Sequence, residues 1–205
     1  MKKLPFDKLL IATGNRHKFS EIKDMLSPFG IEAIPAFNYD IKEPKETGST
    51  FEENALIKAK YYSEALDMPA LADDSGLCVE ALDGAPGIYS ARWAKEFGEY
   101  DGVIKEIQKR LKIGKTKNYN ALFVCNIAIY NLDEVYAKKI HNFEGKVEGA
   151  LQFPSKGCNG FGYDPIFVPK RYNITFGEMN PEEKKKISHR ANAMNKFIEW
   201  IQNFS

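Results

Sequence analysis

Apolar positions along the chain change their period several times, and each change marks an element. Lys8 to Thr13 is a short apolar run of strand length that ends at Gly14. Beyond it Phe19, Ile22, Leu26 and Phe29 step by three, four and three, the stripe of a helix. Asn15 is placed to cap that helix and Gly30 to close it. Ile31 to Ile34 reads as a second strand. The polar stretch from Asn38 to Ser49 leads into Thr50-Phe51-Glu52-Glu53, a capping-box pattern. The helix it starts turns Phe51, Ala55, Ala59 and Leu66 towards the core, while Asn54, Lys58 and Tyr62 form a second stripe. An apolar run from Ala70 to Ala72 meets Asp73-Asp74-Ser75-Gly76, then resumes from Leu77 to Leu82. Asp83 to Gly87 is turn chemistry.

Further on, Tyr100, Val103, Ile104, Ile107 and Leu111 predict a helix over 100–111, and Ala121 to Tyr130 a long strand. Glu134 to His141 and Phe143 to Leu151 read as two more strands. Gly157 to Asp164 is rich in glycine. Asn180-Pro181 opens a helix with proline at its first position. Ile187, Ala191, Met194, Ile198 and Ile201 share one face, and Ser188 either lies within that helix or caps a second one. There is no internal repeat or linker, so residues 1–205 read as a single domain. Its class is α/β, with helices flanking a long central mixed β-sheet.

Composition narrows the partners. Lysine and arginine number 29 against 28 aspartate and glutamate, a net charge of +1. That balance argues against a protein coating nucleic acid, which carries a broad basic excess. It leaves room for one small polyanion. No apolar run reaches the roughly 18 residues of a membrane span. Leu9 to Ala12 is too short for a signal peptide core. Three cysteines without a CxxC pair argue against a disulfide scaffold or structural zinc, and for a reduced, cytoplasmic protein.

Four constellations carry candidate chemistry. Thr13-Gly14-Asn15-Arg16-His17-Lys18 joins a strand to a helix N-terminus, which is either an anion cradle or an ordinary capped turn. Asp73-Asp74 after an apolar run needs compensation, from a hydrogen-bonded Asp-Ser-Gly turn or from a divalent cation. Glu43 and Glu46 lie in a polar loop with no evident packing role. Gly157 to Pro165 surrounds Phe161, Gly162, Tyr163 and Asp164 with chain that lets a base approach and stack, or whose aromatics simply cover the sheet. Lys184 to Arg190 ends in Ser188-His189-Arg190, whose donors suit a carbonyl or phosphate oxygen. Together they describe a pocket for a magnesium-bound nucleotide.

The same motifs, in order, make the chain resemble the inosine triphosphate pyrophosphatases, which clear noncanonical purine nucleoside triphosphates. The resemblance rests on Ala12-Thr13-Gly14-Asn15, Glu46-Thr47-Gly48, Thr50-Phe51-Glu52-Glu53-Asn54-Ala55 and Ala72-Asp73-Asp74-Ser75-Gly76-Leu77. It continues through Gly84 to Arg92, Phe161-Gly162-Tyr163-Asp164-Pro165, Phe176-Gly177-Glu178-Met179 and Ser188-His189-Arg190. It implies hydrolysis of ITP, dITP and XTP to the monophosphate and pyrophosphate, a Mg²⁺ requirement, a homodimer, and two lobes around a substrate cleft. By position it implies that Asp74 is the general base and, with Glu46, holds the metal. Thr13, Asn15 and Lys18 would form the triphosphate cradle, with Gly14, Arg16 and His17 as further substrate-binding residues, Lys58 facing phosphate and Ser75 touching substrate. Phe161 would stack on the base, with Asp164 hydrogen-bonding near it and Gly162 and Tyr163 also touching substrate, and Lys184, His189 and Arg190 would read the purine 6-oxo edge and the nearby substrate. Two other readings compete: a pyrophosphatase for modified pyrimidine or methylated nucleotides, and a nucleotide sensor that does not hydrolyse.

Overall fold

The structure, a computed structural model, describes residues 6–130 and 140–203. Six strands are ordered β2-β1-β3-β4-β5-β6 in one sheet. They are β1 (Lys8–Ile11), β2 (Glu32–Pro35), β3 (Ala70–Val79), β4 (Asn120–Tyr130), β5 (Ile140–Leu151) and β6 (Phe167–Pro169). β1 runs parallel to β2 and β3, and β5 runs antiparallel to β6, so the sheet is mixed. The helices are α1 (Arg16–Leu26), α2 (Phe51–Leu66), α3 (Ser90–Phe97), α4 (Glu99–Ile113), α5 (Pro181–Ile187) and α6 (His189–Gln202). The class is the one predicted, an α/β fold with a mixed sheet and flanking helices. Among the described residues no helix is long and apolar enough to cross a membrane.

The chain divides into two compact units. The first comprises Met1–Asp74, Cys125–Gly145 and Asn192–Ser205, the second Ser75–Val124 and Lys146–Ala191. β3 and β4 supply residues to both.

In the first unit the period-2 alternation of the strands feeds two separate cores. Leu9, Ile11, Leu71, Cys125, Ile127 and Ile129 face Ile22 and Leu26 of α1 and Met194, Phe197 and Ile201 of α6. Leu10, Ala12, Ala70, Ala72 and Ala128, on the other face, pack against Ala55, Ala59 and Tyr62 of α2. The small residues on that second face let α2 lie close to the strands.

The second unit builds its own core. Leu77 and Val79 of β3 and Ala121 and Phe123 of β4 meet Val103, Ile104, Ile107 and Leu111 of α4. Tyr163, Phe167, Phe176 and Met179 complete it.

Several expectations change. Asp73 to Gly76 form no turn, because β3 runs without a break from Ala70 to Val79. The two strands expected around residue 142 are one strand, Ile140–Leu151, and 134–139 lie outside the described residues. Gly145 does not interrupt it, because an extended strand accepts a buried glycine. Gly30 closes not α1 but the short 3-10 turn Ser27–Phe29, in left-handed conformation at φ 71°. The capping box is displaced by one residue. Thr50 Oγ1 accepts from the Glu53 amide at 3.1 Å, but the Glu53 carboxylate accepts from the amide and hydroxyl of Ser49. Ser188 does cap a second helix, accepting from the Ala191 amide at 3.1 Å.

Phe197 is fully buried and meets Phe143 edge-on with ring centroids 5.6 Å apart. Phe197→Ala should therefore lower unfolding free energy by about 3 to 5 kcal/mol, read from urea denaturation.

Candidate active site

In the first unit, β1 delivers the chain to Thr13 and α1 leaves at Arg16. Asn15 Oδ1 accepts from the amides of His17 and Lys18 at 2.9 and 3.1 Å, and Thr13 Oγ1 accepts from the Asn15 amide at 3.1 Å. The capping reading of this turn therefore holds. Three of its amides point at side-chain oxygens, so any anion binding here relies more on Lys18 than a bare helix terminus would. Arg16 and His17 are exposed, and the Arg16 guanidinium lies over the Phe37 ring at 4.4 Å. Glu43 reaches Gly14, where a side chain would collide with its carboxylate.

The two acids of β3 are separated by the pleat. Asp73 continues the Leu71 face, towards α1, and Asp74 continues the Ala70 and Ala72 face, towards α2. Asp73 Oδ2 pairs with Lys18 Nζ at 2.9 Å. Asp74 Oδ1 pairs with Lys58 Nζ at 3.1 Å, and the same ammonium meets Glu46 Oε1 at 2.8 Å. α2 explains why Lys58 and Glu46 meet. One turn before Lys58, buried Asn54 accepts from the Gly48 amide at 2.8 Å and so ties down the loop carrying Glu46.

These contacts set the protonation states. Burial lifts the Asp74 carboxyl above its ordinary value of 3.8, and Lys58 and Lys18 only partly oppose that rise. Burial pulls Lys58 down, but Asp74, Glu46 and Asp73 outweigh it and hold the amine charged. Asp74 Oδ2 is buried without a hydrogen-bond partner. Among the described residues no group of three or more His, Cys, Asp or Glu is arranged to hold a metal ion. Magnesium, however, needs only one or two carboxylates beside phosphate oxygens and water. Asp74 and Glu46, sharing one ammonium, with an unsatisfied Asp74 oxygen, fit that ion.

In the second unit, Asp164 is the hub. Its Oδ2 accepts from the Phe161 amide and from Lys184 Nζ, both at 2.7 Å. Gly160, at φ 75°, leaves space for that carboxylate, where any Cβ would collide with it. Lys184 Nζ and the Arg190 guanidinium lie 5.1 and 5.7 Å from the Phe161 ring centroid, within cation-π range. His189 stacks on Phe123 at 4.6 Å with planes 6° apart. Arg190 donates to Ser75 Oγ at 3.4 Å. Lys184, His189 and Arg190 are all buried, so the lysine run is no uniform solvated face. Tyr163 is buried in the core, edge-on to Tyr100 at 5.1 Å, and Gly162 lies beside the same Tyr100 ring.

Each unit thus gathers its own share of the sequence-derived residues: Thr13 to Lys18, Glu46, Lys58 and Asp74 in the first, Ser75, Phe161 to Asp164, Lys184, His189 and Arg190 in the second. The profile of the Ham1 family matches residues 9–200. The chain belongs to the Ham1 family. A dITP/XTP pyrophosphatase of Zymomonas mobilis is 43% identical over 198 residues, covering 96% of this chain and 93% of the relative. Another, from Aquifex aeolicus, is 44% identical over 204 residues, covering 96% and 97%. The structure of a HAM1 protein from Coxiella burnetii superposes with a TM-score of 0.86 at 35% identity, covering 95% of this chain and 98% of that one.

Asp73 is the residue that sequence reasoning left out of the site. Its signal was available: two consecutive acids in an extended segment must face opposite sides.

The raised Asp74 carboxyl means that the folded chain binds this proton more tightly than the unfolded chain does. Its contribution to stability falls as pH rises from near 3.8 through the higher folded value. Lys58→Met removes the strongest opposing charge. The Asp74 protonation midpoint in the ligand-free protein, followed by carboxyl carbon NMR, should then rise further.

Proposed function

We propose that the chain hydrolyses the noncanonical purine nucleoside triphosphates ITP, dITP and XTP to the monophosphate and pyrophosphate. It would do so as a magnesium-dependent cytoplasmic homodimer, with 1–205 working as one bilobed domain. The observation that carries this reading is the buried Asp74 carboxylate, one oxygen held by Lys58 and the other without a partner, in a chain over 40% identical to dITP/XTP pyrophosphatases.

In this mechanism Asp74 accepts a proton from a water whose oxygen attacks the α-phosphorus. The bond from that phosphorus to the bridging oxygen breaks, and pyrophosphate leaves with its electron pair. Burial raises the proton affinity of Asp74 and so makes it a stronger base than an exposed aspartate. Lys18 and Lys58 neutralise phosphate charge, and the turn from Thr13 to His17 orients the chain around it. Glu46 and Asp74 would hold Mg²⁺, which when bound supplies Lewis-acid stabilisation of the phosphates. Phe161 offers its ring to the base. Lys184, His189 and Arg190 aim donors at a 6-oxo group, and Ser75 is held beside them by Arg190. Asp164 acts by fixing Phe161 and Lys184, and Tyr163 and Gly162 by shaping the loop from the core side.

Specificity follows from hydrogen-bond matching. A 6-amino group opposite these donors leaves a buried polar group unpaired, at a cost of about 1 to 3 kcal/mol. One mismatch gives roughly one to two decades of discrimination, so several contacts combine.

Pyrophosphate release should be fastest with ITP, dITP and XTP across a nucleotide panel and should fail without Mg²⁺. Asp74→Asn should lower turnover by at least about a thousandfold while nucleotide binding stays measurable. Near-normal release by that variant would remove Asp74 as the base. Phe161→Ala should weaken ITP by about 1 to 3 kcal/mol and leave tripolyphosphate unaffected, measured by calorimetry. Equal losses for both ligands would argue against stacking.

A further inference from the structure

The two acids of β3 differ in what can reach them. The side chain of Asp73 has no exposed surface, whereas Lys18, its partner at 2.9 Å, keeps 16% of its side chain exposed. Asp73 Oδ2 also lies 4.0 Å from the Cys125 thiol, inside the core beneath α1. A carboxylate so enclosed meets neither substrate nor metal; its direct ion pair is with Lys18, and its charge also helps to keep Lys58 ionised.

We propose that Asp73 is the positioning residue for Lys18, holding its ammonium at the Thr13–Lys18 turn before a triphosphate arrives. This rests on the reading of that turn as the phosphate cradle. A lysine side chain carries large rotamer freedom, and fixing it only on binding would subtract from affinity. Asp73 fixes it in the free protein. An ammonium has three donors, so one engaged by Asp73 leaves two for phosphate oxygens. Exposure points the same way. Lys18 keeps part of its side chain in solvent, so a ligand can reach its ammonium while Asp73 holds it. The side-chain cap of Asn15 on the Lys18 amide fixes the backbone end of the same residue.

The test is a double-mutant cycle with an independent probe. Asp73→Asn should raise KM for ITP and weaken tripolyphosphate binding by about tenfold, with kcat changed by less than about threefold. Lys18→Met should do the same, and the double variant should lose no more than Lys18→Met alone. In the ligand-free protein, competitive acylation followed by mass spectrometry should show Lys18 labelling several times faster in Asp73→Asn, with other lysines unchanged. If Asp73→Asn does not fold, Asp73→Ser carries the same arms, since it also removes the carboxylate that holds Lys18 and adds no volume to the enclosed site.

Additive losses in the double variant, or unchanged Lys18 labelling, would overturn the proposal. If Lys18→Met weakens both ligands while Asp73→Asn leaves them unaltered, the cradle reading stands and Asp73 has no positioning role. If Lys18→Met leaves both at the wild-type level, the cradle reading itself fails, and the proposal with it.

Discussion

The chemistry of the first unit depends on the alternation of one extended strand. Consecutive residues of β3 face opposite sides, so two adjacent carboxylates enter two different cores. Each meets a lysine from a different helix: Lys18 from α1 for Asp73, Lys58 from α2 for Asp74. Buried charges without partners would destabilise the fold by several kcal/mol each. The two helices therefore pack where their lysines can reach, as well as where their apolar stripes fit. The small residues Ala55, Ala59, Ala70 and Ala72 bring α2 near enough for Lys58 to touch both Asp74 and Glu46.

The second unit uses the opposite strategy. One acid, Asp164, organises a loop that has little regular structure, by taking the Phe161 amide and the Lys184 ammonium on one oxygen. Buried His189 is fixed by stacking on Phe123, and Arg190 by Phe161 and Ser75. Stacking and cation-π contacts hold these buried side chains in place, while His189 Nδ1 and Arg190 Nε stay buried without a hydrogen-bond partner.

Much of this was legible in the sequence. The stripes of α1, α2 and α4 and the runs of β1 and β4 follow the periodicities of their residues. The caps at Asn15, Thr50 and Asn180 appear as expected because a cap is a local interaction of neighbouring residues. What failed was whatever tertiary contacts decide. Asp73-Asp74-Ser75-Gly76 has the local chemistry of a turn, and it is a strand because β3 is hydrogen-bonded between β1 and β4. β6 is three residues set by pairing with β5 and is too short to carry a period, whereas α3 does carry one, with Trp93, Ala94 and Phe97 at helical spacing. Among the candidate site residues, the capped turn from Thr13 to Lys18 and the acid Asp74 were legible. Asp164 is expected to hydrogen-bond near a base, whereas its Oδ2 accepts from the Phe161 amide and Lys184, and the Lys18 partner of Asp73 lies too far away in sequence to be read.

A continuous β3 makes the arrangement a matter of parity. Inserting or deleting one residue between Leu71 and Asp73 would exchange the two acids between faces, giving the α1 lysine the carboxylate meant for α2. Leu77 and Val79, farther along the same strand, would change faces with them, so the core of the second unit would suffer along with the ion pairs. Two residues could be inserted with less harm than one, so the segment reads its length in even numbers.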